Sequence, residues 1–288
     1  MSTALRSAVT RSMLIGYVVI GSALLGGCGF GFGGSQASKV LNPDPPGEMF
    51  ATADGLLTSG KYVRAAKKFE SVDRDYPYAP EARRAIVMAA YAYYKDGKYP
   101  EARAQARRYA TLHPGTKEAA LAHHIIASSY FDQIKGPTRD QTATRKALKE
   151  LKELQARYPN SKYAEQAGNR IRLAEDMLAA ADMNVGRYYL KKRNYLAAIN
   201  RFKHVVIEYQ TTKHVEEALM RLTEAYMALG IRNEAQTAAA VLGHNFPNSP
   251  WYKDAYTLLA SNGLEPRNNG SSWISRAWKK TVNVLSFK

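Results

Sequence analysis

One thiol, six imidazoles and a few adjacent carboxylates are the side chains of this 288-residue chain best suited to chemistry. The thiol, Cys28, follows Leu25-Gly26-Gly27 at the end of an apolar run from Met13 to Leu25, which is itself preceded by Arg6 and Arg11. A basic stretch, an apolar stretch and a pair of small residues make a secretory signal that ends at residue 27. The run is too short to span a bilayer as a helix, which takes roughly 20 residues. None of the histidines has the H-E-x-x-H spacing of a zinc site, and the adjacent pair His123-His124 would point about 100° apart on a helix. Gly29, Gly31 and Gly34 match G-x-G-x-x-G, but the strand and helix that would make a phosphate cradle of them are missing from the pattern around them. Glu216-Glu217 fall at an expected helix amino terminus, where the helix dipole accounts for them without catalysis. With no G-x-S-x-G elbow and no phosphate loop, the expectation is a protein that is not an enzyme and uses neither cofactor nor metal.

The segment around Cys28 resembles a bacterial lipoprotein signal. That resemblance implies cleavage before Cys28, acylation of its thiol and acylation of the new amino terminus, palmitate being a typical chain. The alternative is an ordinary secreted protein whose signal contains a cysteine near the cut. Each buried methylene contributes about 0.8 kcal/mol, so several chains together hold a protein on a membrane. Gly29 stands where enterobacterial inner-membrane lipoproteins carry a retention aspartate, which favours the periplasmic face of the outer membrane.

The elements that must present these groups follow from composition and pattern. Apolar residues make up 45% of the chain, ample for a core, and the lone cysteine allows no internal disulfide, so packing alone must stabilise it. A net charge of +16 suits anionic head groups or acidic proteins, with a solvated basic surface as the plain alternative. Residues 28–47 are rich in Gly, Ser and Pro and form a tether. From residue 48 to about 260 the apolar spacing is helical.

Within that stretch one pattern recurs. Gly60 is followed five residues on by Ala65 and seventeen on by Pro77; Gly97 by Ala102 and Pro114; Gly230 by Ala235 and Pro247. Arg193 takes the glycine place before Ala198 and Gln210, and Thr142 does so before Ala147 and Pro159. A glycine ends one helix, an alanine lets the next approach closely, and an aromatic-proline pair stops it. Such units cannot bury an apolar face alone and must stack. They resemble tetratricopeptide repeats, with small residues at Ala53, Ala90, Ala127, Gly186 and Thr223, and Leu56, Tyr93, Tyr130, Tyr189 and Tyr226 three places later. The expected fold is therefore all-α, an α-solenoid of about five divergent helix hairpins. Repeats 1–3 occupy residues 48–160 and repeats 4–5 residues 161–262; a linker and tail fill 263–288. Unit three carries a loop of about eight extra residues around Gly136–Asp140, and unit four opens with a long helix beginning near Tyr163.

In tetratricopeptide arrays the first helix of each hairpin lines a groove. By that resemblance the lining here is Phe50, Asp54, Arg84, Val87, Tyr91, Tyr94, Lys95, His124, Ser128 and Phe131. Rings and cations together suit an extended peptide with aromatic side chains and a free carboxylate; packing of Tyr91 and Tyr94 between helices is the competing account. In the tail, Trp273, Ile274, Trp278, Val282 and Leu285 accompany Arg276, Lys279 and Lys280. This segment either meets anionic lipid or a partner through Trp273, Trp278, Lys279 and Lys280, or caps the last repeat.

The anchor, the Asn42–Pro46 tether, the run Ala90-Tyr91-Ala92-Tyr93-Tyr94-Lys95, the Arg139-Asp140 loop and the segment Arg157–Tyr163 together resemble the BamD (ComL) family of lipoproteins of the β-barrel assembly machinery, over nearly the whole mature chain to about residue 250. The resemblance implies a non-enzymatic scaffold of the outer-membrane complex. Its later repeats would bind the periplasmic domains of the barrel protein BamA, its earlier ones would receive unfolded outer-membrane proteins, and other lipoproteins of the complex would join it. It also implies a BamA contact at Arg201. Nucleic acid is not an expected partner, since no groove-reading motif supports DNA uptake. The rival is a tetratricopeptide lipoprotein that pilots secretin or pilus assembly or organises peptidoglycan.

Overall fold

The computed structural model describes residues 44–285, with side chains as far as Lys279. Cys28, most of the tether and the side chain of Lys280 therefore lie outside the described residues. Among those described there are helices and no strand. In chain order they are α1 (Pro46–Thr58), α2 (Tyr62–Asp75), α3 (Pro80–Lys95), α4 (Tyr99–Leu112), α5 (Lys117–Phe131), α6 (Thr142–Arg157), α7 (Lys162–Lys191), α8 (Tyr195–Glu208), α9 (Val215–Ala228), α10 (Arg232–Asn245), α11 (Pro250–Ala260) and α12 (Trp273–Leu285). The first ten pair as five hairpins, each packed on the next. The first helix starts two residues before the expected helical stretch, because Pro46 takes its first position, where a missing N–H costs nothing.

The repeat offsets have a direct structural meaning. Gly60, Gly97 and Gly230 all adopt φ between 72° and 76°, and Arg193, in the same place, is the one non-glycine among the described residues with positive φ, at 59°. Left-handed backbone at this point turns the chain from one helix into the next. Five residues on, Ala65, Ala102, Ala147, Ala198 and Ala235 are all fully buried, so no larger side chain fits where the two helices of a hairpin close. Tyr76, His113, Tyr158 and Phe246 end their helices outside the helical region, with φ between −136° and −130° and ψ between 53° and 61°, since the residue before a proline is disfavoured in α geometry. Tyr209 does the same before Gln210, so tertiary packing holds this turn without the ring.

Thr142 departs from the pattern: it is the first residue of α6 rather than the left-handed end of the preceding helix. The inserted loop replaces the glycine turn and braces itself. Gln141, buried, donates to the carbonyls of Gly136 (3.1 Å) and Arg139 (2.8 Å) and accepts from Thr144 Oγ1 (2.8 Å). Asp140 accepts from the Thr142 backbone N–H and hydroxyl, both at 3.0 Å, and these bonds hold its carboxyl below the usual range.

Apolar packing divides into three clusters along the array. The first draws on α1 to α5 around Phe69 and Tyr109, and the second gathers Ala127, Leu151, Leu154, Ala167 and Ile171. The third runs from Ala179 and Met183 through Phe202, Leu219, Leu222 and Leu242 to Ile274. The 30-residue α7, about 45 Å long at 1.5 Å per residue, contributes to the second with its first half and to the third with its second half. Gly186 is obligatory there, because a Cβ at that position would collide with the Phe202 ring.

Candidate interaction surface

The opening helices of the hairpins form an inner row in which α3 packs on α1, α5 on α3 and α7 on α5. Rings and cations of this row lie against one another. The Arg84 guanidinium lies 5.0 Å from the centre of the Phe50 ring, which meets Phe69 edge-on at 5.1 Å. Tyr94 Oη donates to Asp132 at 2.7 Å; burial, and then that bond, push the phenol up to about 12. Farther along the row His124 packs against Tyr163 with ring centres 4.7 Å apart. Burial, helped by the nearby Arg170, lowers the His124 imidazole to about 4, so it is neutral at ordinary pH.

The residues expected to line a groove differ in their exposure. Phe50, Tyr91, Tyr94, His124 and Phe131 are partly exposed along the row, while Asp54, Arg84 and Lys95 are open to solvent. Val87 and Ser128 are core residues at 1% and 0% exposure, because both point into the packing of neighbouring helices. Val87 therefore does not line the surface. Two residues that sequence reasoning missed complete it. Asp132, one residue past α5, holds Tyr94, and Arg170, on the first half of α7, donates to Ser128 Oγ at 2.5 Å while its guanidinium covers the Phe131 ring at 5.1 Å. The hairpin alignment anchors unit four at Gly186 and leaves the start of α7 unassigned, which is why Arg170 escaped it.

The cations of this row share a property. Among the described residues Arg84, Lys95, Lys162 and Arg170 have no carboxylate within 4 Å; Arg84, Arg170 and Lys162 rest on Phe50, Phe131 and Tyr163 instead. A ring face attracts a cation without neutralising it. The positive charge stays available to a ligand.

A second surface lies between the inserted loop, α7 and α8. It is a cleft of about 670 Å³ bordered by Arg139, Arg145, Asp182, Tyr188, Arg201, His204 and Tyr209. Asp182 receives Arg201 Nη1 at 3.3 Å and lies 2.7 Å from His204 Nδ1. Arg201 remains 49% exposed, so it is oriented by Asp182 yet open at the cleft. Burial, with Asp182 nearby, pushes the Tyr209 phenol up to about 12. Deeper in this half, Glu217 takes Arg187 Nε (2.8 Å) and Nη2 (2.5 Å) and Arg221 Nε (3.4 Å). Burial alone would raise this carboxyl, but the two guanidiniums outweigh it and hold it down. Glu217 is thus a structural counter-charge as well as a first-turn acid of α9.

The tail turns inward. Ile274 is fully buried, Trp273 Nε1 donates to Tyr226 Oη at 3.0 Å with Lys203 Nζ 4.9 Å from its ring, and Trp278 meets Phe246 edge-on at 5.9 Å. Helix α12 packs on α8 and α10, and Ser272 Oγ donates to Glu234 at 2.5 Å. Trp273 and Trp278 thus face the molecule's own last repeats, while Lys279 stays exposed.

A stack of helical hairpins, each packed on the next, defines an α-solenoid of the helical-repeat class. The profile of the YfiO family, described as "Outer membrane lipoprotein", matches residues 43–242. The chain is 42% identical over 249 residues to outer membrane protein assembly factor BamD of Caulobacter vibrioides, a match covering 86% of this chain and 81% of that one. The proteins of the same name from Rickettsia prowazekii and Neisseria meningitidis serogroup A are 37% and 35% identical, covering 80% and 73% of this chain and 93% and 82% of theirs. The chain belongs to the BamD family of outer membrane protein assembly factors. A likeness to the solved structure of PilW, a type IV pilus biogenesis factor, has 16% identity and a TM-score of 0.22, too little to bear on fold or function.

Proposed function

We propose that this chain is a non-enzymatic scaffold of the outer-membrane β-barrel assembly complex, anchored at the periplasmic face through lipid on Cys28 after removal of residues 1–27. No helix among the described residues is long and apolar enough to cross a membrane, so attachment falls to the anchor. The inner row of repeats 1–3 receives extended segments of unfolded outer-membrane proteins. The cleft at Arg201 receives an acidic element of the BamA periplasmic domains, with other lipoproteins of the complex bound elsewhere on the array. The tail, through Trp273 and Trp278, caps the last repeat.

The observation that carries this reading is the row of ring-supported cations without carboxylate partners, a surface suited to peptide rather than to a reaction. Crosslinking from Tyr91 and from Arg201 in cells tests it. Barrel precursors are expected at Tyr91 and the barrel-assembly protein at Arg201. Capture of a secretin or pilus component at both positions would sink the assembly reading.

A further inference from the structure

The turn from α7 to α8 and the turn from α9 to α10 share one backbone pattern. Arg193 and Asn194 donate their N–H groups to the carbonyls of Leu190 (2.9 Å) and Tyr189 (3.0 Å); Gly230 and Ile231 donate theirs to Met227 (3.0 Å) and Tyr226 (2.9 Å). Helix-end carbonyls are thus satisfied inside each turn. Helices α8 and α9 pack on each other through a short loop, so the start of α8 lies beside the end of α9 and both turns emerge at the same end of their hairpins. Their side chains set this end apart. Lys191, Lys192, Arg193 and Arg232 are exposed, and among the described residues none has a carboxylate within 4 Å. The sequence holds no acid from Met183 to Ile207, and Glu234, the first acid after Arg232, already accepts from Ser272 Oγ. Beside these cations the fold leaves three aliphatic side chains in water: Leu196 is 67% exposed, Ile231 41% and Leu229 38%. None of the three borders the cleft at Arg201. The equivalent turns of the first two hairpins carry Lys61 and Lys98, the latter two places after Asp96, and no exposed large apolar side chain.

From this geometry we infer that the paired turns of hairpins four and five rest on an anionic phospholipid surface, with Lys191, Lys192, Arg193 and Arg232 among the head groups and Leu196, Leu229 and Ile231 at the acyl boundary. Anionic head groups attract lysine and arginine, and apolar side chains among those cations add burial in the interface. An acidic protein is the poorer fit. The aliphatic side chains are spread over two turns rather than gathered into one apolar face, and a bilayer admits separate side chains where a protein interface needs a packed core. The inference rests on the membrane location proposed above and adds to it which end of the later hairpins faces the lipid.

The test uses the mature chain, Cys28 to Lys288, carrying Cys28→Ser so that no acyl chain contributes, and sedimentation with vesicles of equal parts phosphatidylglycerol and phosphatidylcholine or of phosphatidylcholine alone. Binding to the anionic vesicles is expected to be about tenfold or more tighter than to the neutral ones. Lys191→Glu together with Lys192→Glu is expected to weaken it about tenfold or more, and Leu196→Ser together with Ile231→Ser about threefold or more. Lys117→Glu together with Lys253→Glu changes the net charge equally on α5 and α11 and is expected to leave binding within about twofold. All six substituted side chains are exposed, so the fold is expected to stand. Equal binding to both kinds of vesicle, or equal weakening by the two lysine pairs, overturns the inference. So does unchanged binding after Leu196→Ser with Ile231→Ser, which would leave an ionic attraction that an acidic protein serves as well. None of these outcomes touches the anchor, whose own failure would appear as a Cys28 that takes up no palmitate.

Discussion

The two ends of the array treat the guanidiniums of their opening helices in opposite ways. On the inner row, from α1 to the first half of α7, the cations Arg84 and Arg170 lie on aromatic rings with no carboxylate within 4 Å, whereas in the later repeats Arg187 and Arg221 are held by Glu217 and Glu224. A guanidinium that already has its carboxylate contributes to the fold. One supported only by a ring keeps most of its attraction for an incoming anion. The same residue type is thus neutralised by a carboxylate in one region of the molecule and left unneutralised in the other, and the neighbouring acid decides which.

This contrast can be broken or sharpened by measurement. The largest effect is expected at the docked tail: Ile274→Ala, at a fully buried site in the core of the later repeats, lowers unfolding free energy by about 3 kcal/mol in urea titrations. A loss near zero would mean that α12 does not cap the array. Next comes Glu217→Ala, which leaves Arg187 and Arg221 without their shared counter-charge. The cost is about 2 kcal/mol, below that of a fully buried pair because Arg187 is 39% exposed. If the substitution were neutral, the claim that the later cations are structural would fail.

A pH-dependent effect is expected at His124. His124 is lowered to about 4, below its unfolded value, so between about pH 6.5 and 4 the unfolded chain takes up a proton that the folded chain refuses. Stability attributable to this residue falls as pH drops through that window, by at most ~1.4 kcal/mol per pH unit, and levels off below it. Comparing natural chain and His124→Asn across the window isolates the slope; identical profiles would place the imidazole in water. The smallest change in stability is expected for Arg84→Gln and Arg170→Gln, about 0.5 kcal/mol each, since only a cation–ring contact and, for Arg170, one bond to Ser128 are lost. A cost as large as that of Glu217→Ala would erase the distinction between the two ends.

The hairpin architecture was legible in the residues because its physical requirements are local: a left-handed turn at Gly60, Gly97 and Gly230, a small side chain at Ala65 and its equivalents, and a non-helical residue before proline. Arg193 fitted by offset alone, and the structure gives it the glycine conformation. Offset misled at Thr142, where the inserted loop does the turning through Gln141 and Asp140, bonds that no spacing rule foresees. At the surface, helical phase placed Tyr91, Tyr94 and Phe131 but also Val87, since inner-row and core positions are adjacent on one helix. Arg170, Asp132 and Asp182 were invisible because their roles come from contacts between elements distant in sequence. The tail's apolar face was plain in the pattern, but the site that it covers was not.

The long α7 feeds Ala167 and Ile171 into one apolar cluster and Ala179 and Met183 into another. Between them, Arg172 and Leu173 are exposed, and Ala174, though fully buried, belongs to neither cluster. Heat or denaturant can therefore melt either end while the rod persists as a stump on the other. Hydrogen exchange along α7 should rise in a step at its middle, dividing one continuous helix into two independently fraying lengths.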